Sequence, residues 1–150
     1  MDERDAIQAV LDRQAEAHAA GDAASVMDAY AEAPVLFDLP PPMQVEADAA
    51  GLQDWIDGWD SPPRISYRDV EIAVAGDLAM AWGFVRTDTR RDGQEGGFWT
   101  RSTWGFRRGA AGWKICHQHN SVPFYMDEDQ RAALDLEPGT GTARISEGDG

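Results

Sequence analysis

The sequence is poor in the devices that hold small proteins together from outside their cores. Among 150 residues there is one cysteine, Cys116. An intramolecular disulfide and a cysteine-based zinc site are both excluded, and a reducing compartment is compatible. Basic residues are scarce: 13 against 27 acids, for a net charge of −14. A nucleic-acid backbone or an anionic membrane surface would be repelled, so neither is expected as a partner. No apolar run approaches the roughly 18 residues of a membrane span, and the first residues, Met-Asp-Glu-Arg-Asp, do not read as a signal peptide. The expected location is cytoplasmic. No Gly-x-Gly-x-x-Gly, P-loop or nucleophile elbow occurs, so no cofactor is expected.

What remains is a globular composition, 43% hydrophobic with six tryptophans. A chain of this length can bury about 70% of its unfolded surface and needs no staple. Charge is unevenly spread: residues 1–60 carry a net −12, residues 61–125 a net +3, and residues 126–150 a net −5.

Hydrophobic spacing divides the chain. Ile7, Val10, Leu11, Gln14 and His18 fall on one helical stripe within residues 4–20. Gly21 stops that helix and Asp22 caps the next. Val26, Met27 and Tyr30 suggest a second, short helix ended by Pro34. Residues 35–39 are β-like and stop at Pro40-Pro41-Pro42. Leu52, Trp55, Ile56 and Trp59 mark a third helix over about residues 47–59. From residue 64 the period becomes two, predicting strands over 65–75, 78–90, 98–108 and 113–122 with hairpin turns between them. Val70, Ile72 and Val74 share a face of the first of these strands, and Leu78, Met80, Trp82 and Phe84 share one of the second. The expected domain is 1–126. Residues 127–150 read as an acidic, Gly-rich C-terminal tail with room for a short helix near 128–136.

Helices followed by hairpin-linked strands make an α+β pattern. The expected fold is a cone: a curved antiparallel sheet wrapped around the N-terminal helices. In the last strand, Gly112-Trp113-Lys114-Ile115-Cys116-His117-Gln118-His119-Asn120-Ser121-Val122-Pro123-Phe124 resembles the terminal strand of SnoaL-like proteins. These belong to the nuclear transport factor 2-like, or ketosteroid isomerase-like, superfamily. Gly21-Asp22, Asp38 with its prolines, and Arg101-Ser102-Thr103 agree, and the resemblance spans about residues 4–125. It implies the cone fold and a dimer. It does not imply one reaction, because the superfamily holds isomerases, polyketide cyclases, dehydratases, epoxide hydrolases and proteins without known catalysis.

Candidate chemistry centres on His117 and His119. At i and i+2 on a strand they share a face, counted with Trp113, Ile115 and Ser121. The resemblance turns that face into the cavity. The two rings serve there as paired structural groups, as acid–base groups, or, less readily, as two ligands of a metal that needs three. No metal site is expected. Asp38, flanked by Phe37 and Leu39, is the candidate base if partly desolvated. Arg101, beside Thr103 and Trp99, either pairs with Asp38 or binds a ligand oxygen. Tyr30 is a candidate oxyanion donor. His18, Trp55, Trp59, Trp99, Thr103 and Trp113 are candidate cavity wall for a small apolar ligand. Cys116 is expected on the opposite face as an inert thiol.

These features suggest a cofactor-free enzyme doing proton-transfer chemistry, of isomerase, cyclase or dehydratase type. The alternative is a non-catalytic ligand-binding or oligomerisation module. Apolar residues on both sheet faces predict a homodimer packed through the convex side.

Overall fold

The computed structural model describes residues 2–139. Three helices, α1 (Glu3–Ala19), α2 (Ala23–Met27) and α3 (Ala49–Asp57), lie with five strands: β1 (Tyr30–Phe37), β2 (Arg64–Ala75), β3 (Leu78–Arg91), β4 (Gln94–Gly109) and β5 (Gly112–Ser121). The sheet order is β1-β5-β4-β3-β2. Strands β2 to β5 form the expected antiparallel run, and β1 adds to its edge in parallel with β5.

The stripe read from the sequence makes α1 the core helix. Asp2 caps it by accepting the Asp5 N–H at 2.8 Å. At the other end Gly21, at φ +70°, takes the left-handed conformation that closes the helix, with Gly21 N bonded to His18 O and Asp22 N to Ala17 O. Ile7, Val10 and Leu11 pack on Ala81, Val85, Trp104, Phe106, Trp113 and Ile115. Gln53 of α3 ties the smaller helices together, accepting from Ala23 N and donating to Gly21 O.

The second helix is shorter than its pattern suggests. It ends at Met27, and Tyr30 opens β1 instead. Pro34 lies inside that strand, where the ladder to β5 breaks between Tyr30 and Val35. An edge strand tolerates a proline because its missing N–H has no second neighbour. Strand β4 starts four residues earlier than expected, at Gln94. Asp92 and Gly93 both have positive φ, so two residues suffice for the hairpin and no longer loop is needed.

The face of β2 survives an insertion. Ile65 and Tyr67 pack on the core with Val70, Ile72 and Val74, a change of parity at residue 69. Asp69, at φ +56°, is the extra residue of a bulge between Arg68 and Glu71. On β3 the buried residues are Ala79, Ala81, Val85 and Thr87, while Leu78, Met80 and Trp82 face outward.

Residues 127–136 form no helix. The chain folds back, with Phe124 bridged to Ala132, Tyr125 N bonded to Arg131 O, and Ala133 N bonded to Pro123 O. Ala133 is buried. The remainder of the expected tail, residues 140–150, lies outside the described residues. Among the described residues no helix is long and apolar enough to cross a membrane.

Candidate functional site

The terminal strand does not place its histidines where regular alternation would. Pairing from the β4–β5 turn runs Arg107 with Lys114 and Phe106 with Ile115. The next pair is Gly105 with His117, so Cys116 is an extra residue. This bulge reverses the parity of everything after it. Trp113 and Ile115 point into the core. Gln118 and Asn120 then point inward, opposite Trp104 and Ser102, and His117 and His119 point out. The expectation that both histidines look into the cavity beside Trp113 and Ile115 is therefore corrected. Cys116 joins them rather than opposing them: a side chain built at Gly105 would meet both Cys116 Sγ and His117 Cβ.

On the outer face the two imidazoles flank Phe37, edge to face, with centroids 5.1 Å and 5.5 Å away. His117 Nδ1–H donates to Val35 O at 2.7 Å. Cross-strand register gives two rows: Phe37, His119, Thr103, Trp82 and Glu71; and Val35, His117, Gly105, Met80 and Ala73. Arg101 and Thr103 are on this face too. Arg101 Nε donates to Ser121 Oγ at 3.1 Å, and the pairing with Asp38, one of its two alternatives, is not made. Trp99 is likewise outward, 5.9 Å from the Arg86 guanidinium.

The inner face carries a different polar set. Tyr30 Oη–H donates to Gln118 Oε1 at 2.7 Å, Gln118 Nε2 donates to Asn120 Oδ1 at 3.1 Å, and Asn120 Nδ2 donates to Asp38 Oδ1 at 3.1 Å. Ser102 Oγ–H adds a bond to Asn120 Oδ1. A continuous chain thus runs from the buried phenol to a surface carboxylate. Burial pushes the Tyr30 hydroxyl up to about 12, the Asp38 charge adding to it against a lowering bond from Gln14, so it acts as a donor and not as an acid. Asp38 is exposed and also accepts the Leu39 N–H. The desolvation expected of it is absent, because the strand ends at Phe37 and the turn carries Asp38 to the surface.

Beside this chain is a recess lined by Tyr30, Leu36, Phe37, Asp38, Gln118 and Asn120, of about 20 Å³, room for about one water. No tryptophan lines this recess. Trp113 is core, its Nε1–H bonded to Glu3. Trp55 is exposed and stacks edge-on with Trp59 at 6.0 Å. Among the described residues two buried polar side-chain atoms lack partners, His18 Nδ1 and Trp59 Nε1. His18 keeps its place on the inner stripe of α1 with Gln14, and burial lowers its pKa to about 4. Among the described residues no three of His, Cys, Asp and Glu converge as metal ligands would.

Ser102, Gln118 and Asn120 are the interior groups that sequence reasoning missed, while Gln14 is buried on the α1 stripe where it was expected. Gln118 and Asn120 alternate with the histidines, and a one-residue bulge decides which pair is inside. Nothing in the local sequence signals that bulge.

Helices laid over one face of a five-stranded sheet, with a polar interior at one end, define a fold class shared with known structures. The SnoaL-like domain family matches residues 7–125, and the chain belongs to that family. No curated protein matches it. Among solved structures, an NTF2-like protein of unknown function from Pseudomonas putida KT2440 is 28% identical, with a TM-score of 0.75 over 88% of this chain and 94% of that one. The CaMKII hub of S. rosetta is similar at 22% identity and a TM-score of 0.61, over 78% and 94%. A structure from Catenulispora acidiphila in complex with S-DNPA is similar at 16% identity and a TM-score of 0.66, over 76% and 88%.

Proposed function

We propose that this chain is a self-associating SnoaL-like module, two copies meeting through the outer face of the sheet. The observation that carries the reading is the outward turn at Cys116. It removes His117 and His119 from the interior and lays them on a face that already exposes Leu78 (53%), Met80 (49%), Trp82 (41%) and Val35 (39%). A catalytic pair would be lined up with the interior network, but His117 bonds to backbone and Asp38 sits at the surface.

The size of the face suits the role. Five strands about 4.8 Å apart, overlapping over about ten residues at roughly 3.3 Å each, present on the order of 800 Å². That is the share one partner contributes to an interface of standard size. The hub among the similar structures supports assembly as a use of this fold. Light scattering on the full chain at micromolar concentration should give a dimer, and Trp82→Glu should give a folded monomer. A monomeric parent chain would overturn the reading.

A second reading rests on His18 Nδ1 and Trp59 Nε1, since buried polar atoms without partners are the groups a ligand would satisfy. Here the recess beside Tyr30, about 20 Å³ as it stands, widens to admit a small molecule, Asp38 at its mouth takes a proton, and Tyr30 donates to the developing oxyanion. Native mass spectrometry of the purified chain tests it: a bound organic ligand displaced by Tyr30→Phe supports it, and a ligand-free mass opposes it.

A further inference from the structure

The α3–β2 loop is fastened to the β3–β4 turn. Asp60 N donates to Arg90 O at 2.8 Å, and the Asp60 carboxylate accepts the N–H groups of Asp92 and Gly93 at 3.0 Å and 2.9 Å. Beside this junction is an open groove of about 610 Å³, within the range of small-molecule sites. Ser61, Pro62, Gly96 and Gly97 are part of its lining. None of its residues belongs to the Tyr30 recess.

The charge of the groove is opposite to that of the chain. Arg86 and Arg90 flank Asp88 at two-residue spacing on one face of β3, and Arg64 is paired across from Asp88 on β2. With Glu95, three guanidinium groups meet two carboxylates in a chain of net charge −14.

Arg86 is held in place. Its Nε–H donates to Asp88 at 2.9 Å, and its guanidinium lies 5.9 Å from the Trp99 ring centroid. It also fills the space left by Gly97, where a Cβ would come within 2.7 Å of Arg86 Nη2 and 2.4 Å of Thr87 O. Gly97 adopts φ +148°, so the site requires glycine on both counts. With Nε engaged, the Nη groups of Arg86 have no protein acceptor among the described residues, and Arg64 and Arg90 form no salt bridge there.

We propose that this groove binds a small hydroxylated organic anion. One carboxylate or phosphate group sits on the Arg86 fork, with Arg64 and Arg90 around it, because planar guanidinium donors match the geometry of both groups. Hydroxyls on the rest of the molecule donate to Asp88 and Glu95. The two carboxylates disfavour a polyanion.

Calorimetry on the full chain at low ionic strength tests this, with gluconate and glucose 6-phosphate as the two anion sources and glucose as the uncharged control. The expected result is saturable binding of at least one anion and none of glucose. Arg86→Gln and Arg64→Gln should each weaken binding at least tenfold. Arg107→Gln, which removes the same charge from an exposed position outside the groove, should not. Gly97→Ala should act like Arg86→Gln if it folds, and the two arginine variants decide alone if it does not. No saturable heat from either anion, equal binding of glucose, or binding indifferent to both arginine variants would overturn the proposal.

Discussion

Ile115 and His117 stand two residues apart on one strand and point to opposite faces of the sheet. Ile115 is fully buried against α1, and His117 lies outside against Phe37. A regular strand would put both on one side. The extra residue, Cys116, separates the core from the outer face within a single tripeptide.

The two positions should therefore differ in cost. Ile115→Ala removes fully buried methyl groups and should destabilise by about 2–5 kcal/mol. His117→Ala loses one partly exposed hydrogen bond and should cost about 1 kcal/mol. Urea melts at a fixed protein concentration check this, and equal losses would place His117 in the core after all.

His18 gives a pH dependence of known sign. Its pKa falls from 6.5 to about 4 on folding. Above pH 6.5 both states are neutral and the group contributes no slope. As pH falls from 6.5 toward 4 the unfolded chain takes the proton first, so stability declines. The loss between pH 7 and pH 5 should be about 2 kcal/mol. His18→Gln should flatten that part of the stability curve, and a variant that runs parallel to the parent would show His18 titrating normally.

Tyr30→Phe should cost more than one exposed hydrogen bond, about 1–3 kcal/mol, because Gln118 Oε1 loses its donor in a partly buried site. Pairing it with Gln118→Met removes the unsatisfied acceptor and should recover part of the loss. A double-mutant cycle with zero coupling would mean that the two side chains do not bond in solution.

The segment after Met126 should matter for stability although it reads as a tail. Truncation there removes Ala133 from its buried place, and with it the Arg131 carbonyl that Tyr125 N uses and the carboxylate of Asp135 that Tyr125 Oη–H uses. The melting temperature should fall by several degrees, a shift expected of a loss of about 1–2 kcal/mol. An unchanged melting point would favour the boundary at residue 126.

Much of this fold was legible because it is periodic. The α1 stripe, α3 and the alternation in β2 and β3 follow from spacing alone, and the family resemblance supplied the cone. What failed has local causes. Tyr30 looks helical because it follows Val26 and Met27 at the right interval, yet it pairs with Ile115, a contact set by a strand 85 positions away. On β3, period two found the face of Leu78, Met80 and Trp82 correctly but could not say that the alanines between them form the inner side. The site failed on one residue: alternation is a parity argument, and a single bulge inverts it for His117, Gln118, His119 and Asn120 together.

One guanidinium bears on how this protein is made. Arg108 bonds to Glu3 at the start of α1 and to Asp77 in the β2–β3 turn, and lies 5.3 Å from the Trp113 ring centroid. The apolar face of α1 waits for strands too: Ile65 to Val74 of β2 pack at its margin, but its buried strand partners run from Ala79 to Ile115. At about 5–20 residues per second, the roughly one hundred residues from the end of α1 to Ile115, the last of these partners, take on the order of 5–20 s to synthesise. During that interval the nascent helix has only part of its cover, from α2 and β2. Such a chain folds late, after β5 has left the ribosome, and its first helix is the segment a holding chaperone would find exposed.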